Sequence, residues 1–339
     1  NNMLRHSGGT ITLVRAHEIS GDPAYLDAAR RSIEFLVGNT RKRIVDGEPA
    51  YYVFYNRKSK LGGTGTGLVA IMRYYMATGD TQFNEYATGM ARHLISRIAE
   101  DGEMIGYYIH PGYNDGRPLL NPTDEQKKKL FSFYYPGEAQ LGLALYEREM
   151  DIEPAFRAQL RAACKRALDF LVHTRPKKYA DRFTALPSDG WLMQAIEEWS
   201  KDPEFQQEAY LDFVFDDADS MLERMYNREN SLYYDSPGTF FYNYGDHAYS
   251  DGARAEGFVA AYYLADRLGR KELAAKYREA NIQVAKSLLH TYHSPEASFF
   301  HIKPERSHRS FRFKFTRAWV RVDSVQHTAC FYSRLYQKL

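Results

Sequence analysis

The 339-residue chain has little sulfur, no long apolar run and no excess of charge of either sign. Its two cysteines, Cys164 and Cys330, fall in stretches that read as helix, with no Cys or His nearby at metal-ligand spacing. A disulfide framework and a zinc site are therefore not expected, and both thiols should be buried. No motif calls for a cofactor or a metal. The longest apolar run, near Gly257 to Ala265, falls well short of the roughly 20 residues a membrane span needs. Lys plus Arg (45) nearly balances Asp plus Glu (43), so neither nucleic acid nor an anionic membrane is expected as a partner, and charge-driven recognition must be local. Gly-x-Ser-x-Gly and His-Glu-x-x-His are missing, which lowers the serine hydrolase and zinc protease readings. The Gly-rich run Gly62 to Gly67 lacks the Lys-Ser/Thr ending of a phosphate loop. Asp216, Asp217 and Asp219 sit among Phe213, Phe215, Met221 and Leu222, where they read as the solvated face of an outer helix. There is no signal peptide and the first residue is not Met, so upstream sequence is expected to be missing and the compartment stays open.

Aromatic residues are abundant, at 15 % of the chain with 27 tyrosines. Their flat faces and polar handles suit sugar rings or peptides, although helix packing should consume more than half of them. One short pattern recurs. In Ser20-Gly21-Asp22-Pro23-Ala24-Tyr25-Leu26 and in Thr78-Gly79-Asp80-Thr81-Gln82-Phe83, a helix ends at Gly, an Asp caps the next helix, and an aromatic follows three residues later. Looser copies occur at Lys201 to Phe205 and Leu268 to Leu273. A two-helix unit repeating every ~50 to 70 residues means an array in which neighbouring units bury each other's faces.

Six helices rich in small residues are expected near Gly8 to Ile19, Thr64 to Ala77, Gly137 to Met150, Gly190 to Ser200, Ala253 to Leu268 and Val322 to Lys338. Close approach through Gly9, Gly65, Gly67, Gly142, Ala144, Ala195, Ala260 and Ala261 suits an inner ring. Five helices charged on one face, near Tyr25 to Val37, Gln82 to Ile98, Pro154 to His173, Pro203 to Tyr226 and Lys271 to Thr291, suit an outer ring. The expectation is an all-α toroid forming one domain over 1–339, with the sixth outer helix upstream of Asn1. Outer-to-inner connections are long and carry strand-like aromatic pieces: Ala50 to Tyr55, Met104 to His110, Ser231 to Asp235 and Phe311 to Phe315. A cleft should therefore form where the inner helices begin.

Polar, aromatic and Gly residues converge at those starts. Asp189, Asp251 and Asp323 fit N-caps as well as a site. Glu138, Glu256 and His327 lie inside the helices, on faces that should point to the ring's centre. Candidate catalytic residues are thus Glu138, Glu256, His327, Asp189 and Asp323. Candidate substrate-binding residues are Arg5, His6, Tyr135, Trp191, Tyr244, His247, Asp251, Arg254 and Arg321. Near the last helix, Lys303, Arg306, His308, Arg309, Arg312, Lys314, Arg317 and Arg321 crowd together, with Phe311, Phe313 and Phe315 in alternation. A cationic face there would attract an anionic glycan.

The segments Leu61-Gly62-Gly63-Thr64-Gly65-Thr66-Gly67-Leu68, Tyr74-Tyr75-Met76-Ala77-Thr78-Gly79-Asp80 and Tyr135-Pro136-Gly137-Glu138-Ala139 resemble the six-hairpin toroid superfamily of carbohydrate-active proteins. That superfamily includes unsaturated-glucuronyl hydrolases, N-acylglucosamine 2-epimerases, glucuronyl C5-epimerases and polysaccharide lyases. The resemblance spans the chain and is one of repeat and style; no single family's signature is matched. It implies an (α/α)6 toroid acting on a carbohydrate, in the first place an acidic polysaccharide or oligosaccharide. Hydrolysis would draw two carboxylates from Glu138, Glu256, Asp189, Asp251 and Asp323. Lyase or epimerase chemistry would instead use Tyr135, Tyr244, His247 or His327 as base, with Arg5, Arg254 or Arg321 holding a carboxylate. The rival class is a non-catalytic scaffold binding a glycan or peptide within a larger secretion or assembly protein.

Overall fold

The computed structural model describes residues 2–108, 120–182, 188–241, 243–244, 251–314 and 317–339. The chain divides into two compact units, one of residues 1–184 with 194–213 and one of residues 185–193 with 214–339.

In the first unit, α1 (Met3–Ser20) and α2 (Pro23–Gly38) form a hairpin. Its turn follows the recurring pattern: Gly21 takes φ 69° and donates its N–H to His17 O at 2.8 Å, and Asp22 caps α2 by accepting from Ala24 N at 2.9 Å. Next come β1 (Thr40–Val45) and β2 (Glu48–Val53), antiparallel across Asp46-Gly47, both at positive φ. An Asp-Gly pair between strands favours that turn because Gly tolerates the left-handed region. β3 (Ser59–Lys60) leads into α3 (Leu61–Thr78), which ends at Gly79 with φ 69°. Asp80 accepts from Gln82 N at 2.9 Å and so caps a turn ahead of α4 (Asn84–Ile95), not the helix itself. β4 (Tyr107–Tyr108) pairs with β3, and α5 (Asp124–Lys129) opens with a capping box at Thr123. α6 (Tyr135–Glu149) and α7 (Pro154–Asp169) complete the hairpins, and a π turn over Phe170–Thr174 carries α7 into the short α8 (Arg175–Lys178).

The inner helices α1, α3 and α6 pack in sequence, α1 on α3 and α3 on α6. Glycine permits the second contact. A Cβ on Gly65 would lie 2.7 Å from the Ala139 Cα, and one on Gly142 would lie 2.8 Å from the Gly65 carbonyl oxygen. The two backbones can meet this closely because the residue facing the partner at each contact, Gly65 or Gly142, carries no side chain.

α9 (Gly190–Trp199) and α10 (Glu208–Glu223) follow, with Asp202 capping a 3-10 turn at Pro203–Phe205 between them. In the second unit, α11 (Gly252–Arg267) and α12 (Lys271–Leu289) form a hairpin turned at Gly269, and α13 (Pro295–Ser298) is a single turn. β5 (Arg312–Lys314) and β6 (Arg317–Val320) pair ahead of α14 (Val322–Lys338), which packs on α11. Gly190 and Gly252 act here as Gly65 does above. Their Cβ atoms would lie 2.7 Å from the Ala253 oxygen and 2.7 Å from the Thr328 nitrogen.

Several sequence expectations are corrected. β1 adds a strand to the expected aromatic piece at Ala50 to Tyr55, pairing with β2 through the Asp46-Gly47 turn. Ser231 to Asp235 forms turns rather than a strand, with Tyr234 fully exposed. The Asp cluster is more than a solvated face: Asp219 accepts from Lys276 Nζ at 2.8 Å and Tyr277 Oη at 2.9 Å, and Asp217 accepts from the Asp189 backbone. Both cysteines are buried thiols. Among the described residues, no helix is long and apolar enough to cross a membrane.

Candidate functional site

In the second unit the close approach of α11 to the first turns of α9 and α14 brings Trp191, Glu256 and His327 together. Gly257 adds to it, since a Cβ there would lie 2.6 Å from the Gly190 Cα. Glu256 Oε2 is in direct contact with His327 Nδ1, and Gln326 Nε2 donates to the same carboxylate oxygen at 3.4 Å. The Trp191 ring stands edge-on to His327, with centroids 5.9 Å apart. Glu256 is the deeper partner: its side chain is 5 % exposed and that of His327 17 %. Burial acts to lower the His327 pKa, but the Glu256 carboxylate, with Asp251 and Asp323 beyond it, raises it by more, and the net direction is upward. A carboxylate on Nδ1 fixes the tautomer and directs Nε2 away from itself.

The aspartates around this pair are committed to structure. Asp251 caps α11 by accepting from Ala253 N at 3.0 Å and Arg254 N at 3.3 Å. Asp189 accepts from Leu192 N at 3.2 Å, while its own N–H donates to Asp217 at 2.8 Å. Asp323 is not the cap of α14. It takes a two-pronged hydrogen bond from Arg321, whose guanidinium also lies 4.2 Å from the Phe313 ring centre. Arg254 is buried over the Phe240 ring, its Nε 3.8 Å from Asp251. Tyr244 is exposed and donates to the Asn230 carbonyl at 2.9 Å. His247 lies outside the described residues.

In the first unit Glu138 is 5 % exposed and reaches over Gly62, where a Cβ would come within 1.8 Å of its Oε2. Glycine at position 62 lets the carboxylate and the Tyr135 ring stand where they do; a side chain there would make them shift. Tyr135 stands beside it, 5.8 Å from Tyr107 between ring centres, with Lys60 Nζ 5.7 Å from its ring. Burial pushes the Tyr135 hydroxyl pKa upward. His6, expected to bind substrate, faces α2 instead: Nε2 is 2.8 Å from Ser32 O, and its ring tilts onto Phe35. Arg5 is exposed. Sequence reasoning missed Gln326, Phe240 and Tyr107 as members of these clusters. Gln326 and Tyr107 lay in segments already notable for their aromatics and polar groups, but nothing in the sequence marked Phe240. Among the described residues, no group of three or more His, Cys, Asp or Glu side chains is gathered to hold a metal ion.

No protein-family profile matches this chain, and no curated protein matches it in sequence. Solved structures do match in fold. An α-mannanase of glycoside hydrolase family 76 from Bacteroides thetaiotaomicron aligns with a TM-score of 0.63 at 12 % identity, over 100 % of this chain and 87 % of that one. A cellobiose 2-epimerase from Spirochaeta thermophila gives 0.58 at 16 %, over 100 % and 87 %. A D-mannose isomerase gives 0.63 at 10 %, over 100 % and 88 %. The chain therefore has the all-α (α/α)6 toroid fold that these carbohydrate-active enzymes share.

Proposed function

We propose that this protein is a carbohydrate-active enzyme that moves a proton on a sugar, with His327 as the acid–base group and Glu256 as the carboxylate that orients it. The observation that carries this reading is the contact between Glu256 and His327 beside Trp191. An imidazole with its tautomer fixed and its charge supported can take a proton from carbon next to a carbonyl, or give one to a ring or leaving-group oxygen. Trp191 supplies a flat face for the sugar. The fold neighbours support the substrate class, since an epimerase and an isomerase of sugars stand among them.

Glycoside hydrolysis is the second reading, favoured by the buried carboxylate of Glu256, which would serve as one of the two groups that chemistry needs. Asp189, Asp251 and Asp323 are less suited to either role because caps and an arginine already engage them. An acidic substrate is supported by the exposed cations Lys303, Arg306, Arg309 and Arg317.

The test is incubation in D2O with mannose, cellobiose, α-1,6-mannan and uronate oligosaccharides, followed by NMR and a reducing-end assay. Proton transfer at carbon places deuterium next to the carbonyl; hydrolysis raises reducing ends without it. His327→Asn and Glu256→Gln should each lower turnover by about a hundredfold or more. Full turnover in both would remove the pair from the mechanism. Binding without any turnover would favour the scaffold.

A further inference from the structure

The lobe between α12 and α14 holds histidines that the proposed chemistry does not use. His293 is 1 % exposed. Its Nε2 lies 2.9 Å from the Ala318 carbonyl oxygen, and a carbonyl only accepts, so Nε2 carries the proton and Nδ1 keeps its lone pair. His301 has its Nδ1 2.8 Å from Ser307 Oγ. That hydroxyl donates to the Pro304 carbonyl at 2.9 Å, so His301 Nδ1 is the donor and Nε2 keeps the lone pair. His293 Nδ1 and His301 Nε2 are both buried without a hydrogen-bond partner, as is Nε2 of the neighbouring His308. Buried imine nitrogens left over in this way need an explanation.

The two rings have their centres 4.9 Å apart and their planes 70° apart. A metal bonded at about 2.0–2.1 Å to both nitrogens, with a near-tetrahedral angle, sets two imidazole centres roughly 5 Å apart. Each ring is also anchored through its other nitrogen, one by a carbonyl and one by a hydroxyl. Anchoring of that kind fixes tautomer and orientation in histidine metal ligands.

We propose that His293 Nδ1 and His301 Nε2 form a two-histidine site for a borderline divalent transition ion, of which Zn2+ and Cu2+ are examples, with water completing the coordination. Imidazole nitrogen suits such ions over Mg2+ or Ca2+. The groups facing His293 are His301, His308 and Arg312. Arg312 opposes a second cation, which favours a site with few protein ligands and limits its affinity. The ion would tie the segment around His301 to α12 and to Ala318 ahead of α14, a structural role separate from His327.

The test uses the full chain without a histidine tag, stripped with chelator, and titrated with Zn2+ by calorimetry at pH 7.5. One ion per chain should bind, and the melting temperature should rise with metal concentration. His301→Gln should weaken binding by about tenfold or more and remove the melting shift. With Cu2+, the electron paramagnetic spectrum should show hyperfine coupling to at least two imidazole nitrogens, a readout that needs no variant if His301→Gln fails to fold. No binding at 1:1, coupling to one nitrogen or none, or an affinity untouched by His301→Gln would overturn the site and leave two histidines bridged by water.

Discussion

Two glycines two residues apart in α3 offer a sharp test of how the inner helices are held. A Cβ on Gly63 would find its nearest neighbour, the Leu4 Cδ1, at 3.5 Å, an ordinary contact. A Cβ on Gly65 would find the Ala139 Cα and N at 2.7 Å and the Glu138 carbonyl carbon at 2.8 Å, all backbone atoms that cannot turn aside. Replacing Gly by Ala within a helix gains ~1 kcal/mol in either place, because the unfolded chain loses less freedom and the helix is better supported. At Gly63 that gain should stand nearly alone. At Gly65 it is set against overpacking of ~3 kcal/mol, the upper part of the usual range, since α3 and α6 must move apart as bodies. Gly63→Ala should therefore stabilise by ~1 kcal/mol and Gly65→Ala destabilise by ~2 kcal/mol, a separation of ~3 kcal/mol between nearly adjacent positions. Urea unfolding followed by far-ultraviolet circular dichroism measures both from the midpoint, with the slope checked for constancy. Equal effects in the two variants, or a neutral Gly65→Ala, would refute the claim that backbone contact between α3 and α6 sets this part of the fold.

Glu256→Gln should lower the pKa of His327, since the carboxylate is what raises it against burial; histidine resonances followed by NMR through a pH titration will show it. The folded pKa lies above the ordinary 6.5, so the pair's contribution to stability is full below that value and fades as pH rises through the folded pKa. The variant should lose that dependence, and an unchanged His327 titration counts against the pairing. Glu198, buried among Arg73 at 3.0 Å, Lys201 at 2.6 Å and Arg148, is held well below the usual carboxylate range despite burial pressing it upward. Glu198→Gln leaves those cations facing a neutral amide and should cost about 3 kcal/mol at pH 7. Because the folded pKa is depressed, the deficit should be full above pH 4.5 and shrink as acid protonates the wild-type carboxylate, which unfolding curves at pH 7 and pH 3 would reveal.

The alternation of helices was legible in the sequence because capping and helical period are local properties. Gly21 and Gly79 end their helices at φ 69° as the Gly-Asp pattern requires. The span Val322 to Lys338 agrees to the residue, and short turns alternate with long connections as the spacing indicated. The small residues on one set of helices also foretold close packing. Which side chains would meet was beyond that reading. Glu256 and His327 lie 71 positions apart, and both needed only to be polar and near a helix start to be candidates. So did His6, which the rotation of α1 turned onto Ser32, and Asp323, which Arg321 took before it could cap α14. Helical period restricts a residue to a face; the partner on that face depends on the angle and depth at which a second helix seats. Those were decided in the tertiary structure, where backbone meets backbone at Gly65, Gly190, Gly252 and Gly257 and leaves each neighbouring side chain only one place to go.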